Sequence, residues 1–177
     1  MALVGNDEEL ASLHELPDFI NLNGNYIHKT AIVYPNVSMG TGNVIGAYTV
    51  IGSNGEIRGV KQDDFKGSVI IGDNNVISEL VTIQRPERFC DTTVVGDDNI
   101  IMAHSHIGHD VKIGNECELC TSTIVGGYTT ILDGAVIKLG CTIRNRVTVG
   151  IDSLVGMGAV VVKDVLDGAT VYGNPAK

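Results

Sequence analysis

The stretch Asn99–Gly127, "NIIMAHSHIGHDVKIGNECELCTSTIVGG", repeats itself every six residues. Ile101, Ile107, Ile113, Leu119 and Val125 keep that spacing, and Gly108, Gly114 and Gly126 directly follow three of them. Four places after each of the first four stands a second, mostly small residue: Ser105, Val111, Cys117 and Thr123. A period of six matches neither the helical period of about 3.6 nor the strand period of about 2. It fits a short strand followed by a corner, where glycine takes backbone angles that other residues resist. Three such units make one triangular coil. Stacked coils form parallel strands about 4.8 Å apart, each sealing the apolar floor of the next.

The same phase extends in both directions. Toward the N-terminus it runs through Ile83, Ile77 and Ile71, breaks, and resumes from Ile57 back to Ile27; toward the C-terminus it runs from Ile131 to Val161. The chain is therefore expected to be all-β, with a parallel β-helix over residues 27–177. The break "RGVKQDDFKGSVI" (58–70) carries charge and predicts a loop leaving the wall. A second disturbance, "QRPERFCDT" (84–92), holds Pro86 and puts Phe89 where an aliphatic is due. Residues 1–26 are expected to cap the open end. Within them "NDEELASLHEL" predicts a helix, with Asn6 as N-cap and Pro17 just past its end.

Composition agrees. Among 177 residues apolar types make up 44% and glycine 22 positions, yet aromatics only 5%. A core built of Val, Ile, Leu and small residues suits tightly stacked strands. The formal charge of -9 argues against a general nucleic-acid or anionic-membrane surface. With no long apolar run and no basic leader in "MALVGNDEEL", a soluble, cytoplasmic protein is expected. The four cysteines need no disulfide framework and read as reduced, buried thiols.

Three of the five histidines lie within six residues, at His104, His106 and His109. The register puts Ile101, Ser105 and Ile107 inside, so all three imidazoles face outward or sit at corners. In "CELC" the register sends Cys117 inward and Cys120 to a corner, which argues against a zinc pair. A coil of eighteen residues sets His109 beneath Gly127 and Asp110 beneath Tyr128. An imidazole base beside an exposed N–H of the Gly126–Gly127 step is the minimum equipment for acyl transfer, and histidine changes charge near neutral pH. Solvated surface histidines are the alternative.

The repeat resembles that of the left-handed β-helix acyltransferases. The segments "IHKTAIVYPNV" (27–37), "QDDFK" (62–66), "IIGDNNVISELVTIQR" (70–85) and "DNIIMAHSHIGHDVKIGN" (98–115) resemble specifically the UDP-N-acetylglucosamine O-acyltransferases of lipid A biosynthesis. The resemblance implies a left-handed coil, a homotrimer with clefts between subunits, and no permanently bound cofactor or metal. It implies a nucleotide-sugar acceptor and a thioester co-substrate, either acyl-CoA or acyl carrier protein. It makes His109 the general base, with Asp110 beside it, and the Gly127 N–H the oxyanion donor. His106, Asp64 and Lys66 correspond to substrate-binding positions. Tyr128 and Arg144 stand where the family has further histidines, which bears on sugar specificity. Met157 replaces a glycine that admits a long acyl tail, and a filled pocket takes a shorter chain. Arg144 and Arg146 face outward, where they meet donor phosphates or only solvent. The ending "GNPAK" is like that of sugar acetyltransferases and favours coenzyme A as the donor carrier.

Three functions follow for comparison. The leading one is transfer of a short- or medium-chain acyl group to a hydroxyl or amine of a nucleotide sugar, including acetyl-CoA-dependent N-acetylation. A zinc hydratase resembling γ-class carbonic anhydrases shares the five-residue offset of His104 and His109, but the remaining histidines, His14 and His28, lie near the N-terminus. A trimeric scaffold that has lost its chemistry is the third.

Overall fold

A computed structural model describes residues 18–61, 64, 66–86 and 91–177. The expected helix over 6–16 and the position of Phe89 lie outside these residues. The rest forms a left-handed parallel β-helix of three faces. Among the described residues the first face has nine strands, the second seven and the third six. Most strands are two residues long, such as His106–Ile107, Lys112–Ile113 and Glu118–Leu119 on successive faces. Strands this short accumulate little of the twist that drives most parallel crossovers right-handed.

Vertical neighbours in the regular part are eighteen residues apart, as in Ile101 to Leu119 to Ile137 to Val155. Lower down, equivalent residues are separated by 24 and 32 positions, because the two interruptions lengthen those coils while the strands on either side keep register. The first returns earlier than the sequence suggests, with the strand Ser68–Ile71 already in the sheet. Past the expected helix the chain enters a hairpin. Phe19–Leu22 pairs antiparallel with Asn25–His28 through Asn23 and Gly24, both at positive φ, the turn favoured for two-residue hairpins.

Each six-residue unit ends in a two-residue corner whose second member is left-handed: Leu80, His104, Asp110, Glu116, Ser122, Tyr128, Arg146 and Asp152 all have φ between 52° and 63°. That conformation costs a non-glycine residue about 1–2 kcal/mol. It is offset by a hydrogen bond between coils: each of these N–H groups donates to a carbonyl on an adjacent coil, except that of Asp110, which the Thr93 hydroxyl accepts. Examples are His104 to Glu79, Ser122 to Ala103 and Tyr128 to His109, at 3.0–3.1 Å.

The core is a set of vertical columns. Ile45, Ile77, Ile101, Leu119 and Ile137 have no solvent exposure, and each such side chain contributes about 1.5–3 kcal/mol by burial. One column is polar. The fully enclosed Asn43, Asn75 and Asn99 stack so that the Asn43 Oδ1 accepts the backbone and side-chain N–H groups of Asn75 at 2.9 and 3.0 Å, and the Asn75 Oδ1 accepts those of Asn99 at the same distances. Their amides also donate to corner carbonyls, including Asn75 to Gly96 at 2.9 Å.

Replacing Asn75 by Leu strips the Asn99 N–H of its acceptor and the Gly96 carbonyl of a donor, at about 1–3 kcal/mol for each buried orphan. The Asn75→Leu variant should therefore unfold at markedly lower urea concentration than wild type. An unchanged midpoint would show that the ladder is not a stabilising element.

Candidate active site

The corner between the second and third faces carries two vertical columns. His109, Gly127 and Asn145 occupy the first corner position of successive coils, and Asp110, Tyr128 and Arg146 the left-handed second position. Strand pairing of His106 with Ile124 and of Ile124 with Thr142 fixes this stacking. The Tyr128 N–H donates to the His109 carbonyl at 3.0 Å, and the Arg146 N–H to that of Gly127 at 3.1 Å.

His109 and Asp110 are largely enclosed, with side-chain exposures of 16% and 9%. The Asp110 Oδ2 lies 2.7 Å from the His109 Nδ1. A carboxylate only accepts, so in the neutral imidazole Nδ1 carries the proton and Nε2 keeps its lone pair. The Nε2 faces Gly127: a Cβ built there would lie 2.7 Å from Nε2 and 2.8 Å from Cε1. A glycine is needed because the imidazole occupies the space of a methyl group. The turn below is pinned from inside the solenoid, where the buried Thr93 hydroxyl accepts the Asp110 N–H at 2.9 Å and donates to the Gln84 carbonyl at 2.7 Å.

The Gly127 N–H has no protein acceptor among the described residues. The contrast with the corner between the third and first faces is instructive. There the equivalent amides of Thr41, Asp73, Asp97 and Asn115 are each taken by a side-chain oxygen of the next coil, from Asp73, Asp97, Asn115 and Asp133, at 2.6–2.8 Å. At the His109 corner no such ladder fills the amide positions. His109 and Gly127, whose N–H is unspent, thus line one cavity of about 480 Å³ together with Glu56, Arg58, Tyr128, Asn145 and Arg146.

Tyr128 forms one wall. Its ring meets His109 edge to face, with centroids 5.0 Å apart at 90°, and the Arg146 guanidinium lies 4.2 Å above its centroid. His106 stands outward on the second face with its Nδ1 2.7 Å from the Thr82 Oγ1. Its pKa is lowered chiefly by burial, with Glu56 opposing and the nearby His109 adding to the shift.

The other positions singled out in the sequence lie elsewhere on the protomer. Asp64 and Lys66 are exposed on the insertion, where the Asp64 carboxylate accepts the Lys61 N–H at 3.3 Å. Arg144 is exposed, as are Met157 (72%) and His104 at its left-handed corner. None of these lines the His109 cavity. Cys117, Cys120 and Cys141 are buried and free, and burial pushes the Cys117 and Cys120 thiols up to about 11. The Cys120 thiol donates to Glu118 at 3.1 Å. Among the described residues no three His, Cys, Asp or Glu side chains converge as a metal site. Glu56, Arg58, Asn145, Thr82 and Thr93 were not evident from the repeat. Glu56 and Arg58 stand next to the insertion, and Thr93 and Thr82 meet Asp110 and His106 through contacts between coils 17 and 24 residues apart.

Residues 92–127 match the family model described as bacterial transferase hexapeptide (six repeats). The chain is 42% identical over 111 residues to an acyl-[acyl-carrier-protein]–UDP-N-acetylglucosamine O-acyltransferase of Pseudomonas paraeruginosa, an alignment covering 62% of this chain and 43% of the relative. It is similar in structure to a UDP-N-acetylglucosamine acyltransferase of Bacteroides fragilis, with TM-score 0.82 and 32% identity over 87% of this chain and 60% of that one. The Arabidopsis UDP-N-acetylglucosamine acyltransferase gives TM-score 0.78 and 28% identity over 88% and 61%. The chain thus spans less than half the length of the curated relatives it matches.

Since the His106 pKa is depressed, the unfolded chain binds a proton more readily than the folded one as pH falls below the ordinary value near 6.5. Native stability is fully present above that pH and declines as pH falls through the folded pKa. Ring-resonance titration should give His106 a midpoint below 6.5, and His106→Gln should flatten the acid loss of stability. A midpoint at or above 6.5 contradicts the assigned environment.

Proposed function

We propose that this chain, a left-handed β-helix of hexapeptide units, is an acyltransferase that moves a short- or medium-chain acyl group from a thioester to a hydroxyl or amine of a nucleotide sugar such as UDP-N-acetylglucosamine. The observation that carries the reading is the meeting of the His109 imidazole, its Nδ1 on Asp110 and its Nε2 against Gly127, with the unaccepted Gly127 N–H at one cavity. The likeness to O-acyltransferases in sequence and structure supports it.

In the reaction, the His109 Nε2 takes the proton of the acceptor hydroxyl or amine as that atom attacks the thioester carbonyl carbon. The carbonyl oxygen becomes an oxyanion, which the Gly127 N–H stabilises. Collapse breaks the carbon–sulfur bond, and the protonated His109 returns its proton to the departing thiolate. Asp110 holds the imidazole in the required tautomer and stabilises its charged form throughout.

The remaining assignments belong to the same proposal. The active assembly is a homotrimer in the cytoplasm, with clefts that bring the insertion of one subunit toward the His109 corner of another. Asp64 and Lys66 then bind the acceptor, as does His106, while Tyr128 and Arg144 adapt the site to the particular sugar. The donor is acyl-CoA or acyl carrier protein, and the exposed Met157 limits the length of the acyl chain. No permanently bound cofactor takes part.

Replacing His109 by Ala should lower kcat by about 10²–10⁴-fold, the range for loss of a general base, while leaving the fold unchanged because the side chain is not in the core. Turnover of UDP-N-acetylglucosamine with an acyl-CoA series and with acyl carrier protein thioesters, followed by mass spectrometry of the product, reads this out. An unimpaired variant would refute the assignment. In the same assay Met157→Gly should shift the preferred donor toward longer chains. An unchanged profile would remove Met157 as the length determinant.

A further inference from the structure

Two arginines, Arg58 and Arg146, line the His109 cavity in a chain whose formal charge is -9. Among the described residues neither is ion-paired, although Glu56 lines the same cavity. Arg146 does not extend freely into solvent: its guanidinium lies 4.2 Å over the Tyr128 ring, and its backbone N–H is fixed on the Gly127 carbonyl. Stacking occupies one face of the planar group and leaves the N–H donors around its edge unspent. A planar fork of donors, oriented in advance, is the geometry that recognises phosphate oxygens.

We infer that Arg146, presented on the Tyr128 ring, and Arg58 form a receptor for a phosphate ester carried by one of the two substrates. The choice of substrate rests on the acyl-transfer reading; the anion site itself does not. The nucleotide diphosphate of the acceptor and a phosphate of the thioester donor share the required chemistry. Because the cavity also contains His109 and Gly127, the bound phosphate anchors its substrate beside the reacting centre. Tyr128 is then a positioning residue, acting through Arg146.

Inorganic pyrophosphate is the probe, titrated calorimetrically into the full chain at low and high salt. Wild type should bind it in a salt-sensitive manner. Arg146→Gly, which suits a backbone φ of 63°, and Arg58→Ala should each weaken binding roughly tenfold or more, as expected for a lost charge-assisted hydrogen bond. Tyr128→Phe keeps the ring and should bind like wild type, whereas Tyr128→Leu should bind weakly. His109→Ala should retain binding. In steady-state assays the arginine variants should raise one KM with little change in kcat: a higher acceptor KM identifies the nucleotide diphosphate, and a higher donor KM the donor phosphate. Failure of wild type to bind pyrophosphate, or equal binding by wild type and both arginine variants, overturns the proposal. Arginine-dependent binding in a protein without acyl transfer would remove the catalytic reading and leave the anion site standing. Turnover with both KM values unchanged in the arginine variants would do the reverse.

Discussion

The hydrogen bond from the Tyr128 N–H to the His109 carbonyl, 3.0 Å long, belongs to a series that ties the left-handed corner residue of one coil to the coil beside it. Everything else at the site depends on that series. It offsets the cost of placing Tyr128 and Arg146 at positive φ, and it holds successive corners in vertical register. With the register fixed, a position eighteen residues later in the chain becomes a direct neighbour in space. His109 consequently packs against Gly127 without any loop to position it.

Two of the corners make different use of the same geometry. Between the third and first faces, carboxylate and amide side chains take the amide that each turn leaves unpaired. Along the inside, the asparagine column satisfies the buried polar groups of successive coils. Between the second and third faces the amide of Gly127 is left for a ligand, and the residues above it are an aromatic ring and an arginine. A stable scaffold is therefore compatible with one reactive corner, because the side-chain ladder and the asparagine column satisfy the polar groups of the corner between the third and first faces.

Much of this was legible in the sequence because a solenoid turns spacing into contact. The six-residue return of aliphatics from Ile101 to Val125 identified the inner columns, and the eighteen-residue coil placed His109 beneath Gly127. The asparagine column was less apparent, since Asn43, Asn75 and Asn99 occupy inward positions where the repeat suggests small or apolar residues. Its explanation is cooperative: each amide is tolerable in the core only because another lies above or below it. The hairpin from Phe19 to His28 stands almost wholly before the first repeat, so the six-residue period gives no sign of it. Glu56 and Arg58 could not be placed at all, since they stand at the start of an insertion that obeys no period. Asp64 and Lys66 are separated from the His109 cavity within one protomer for the same reason, and their proposed role depends on a neighbouring subunit.

The most direct test of the account is turnover by a Gly127→Ala variant. Gly127 has no positive φ, so alanine suits its backbone, but the added methyl falls 2.7 Å from the His109 Nε2 and must displace the imidazole. A folded variant with kcat reduced about 10²–10³-fold, comparable to the loss of an oxyanion donor, is the predicted result. Wild-type turnover in that variant would mean that the contact between His109 and Gly127 is not where the chemistry occurs.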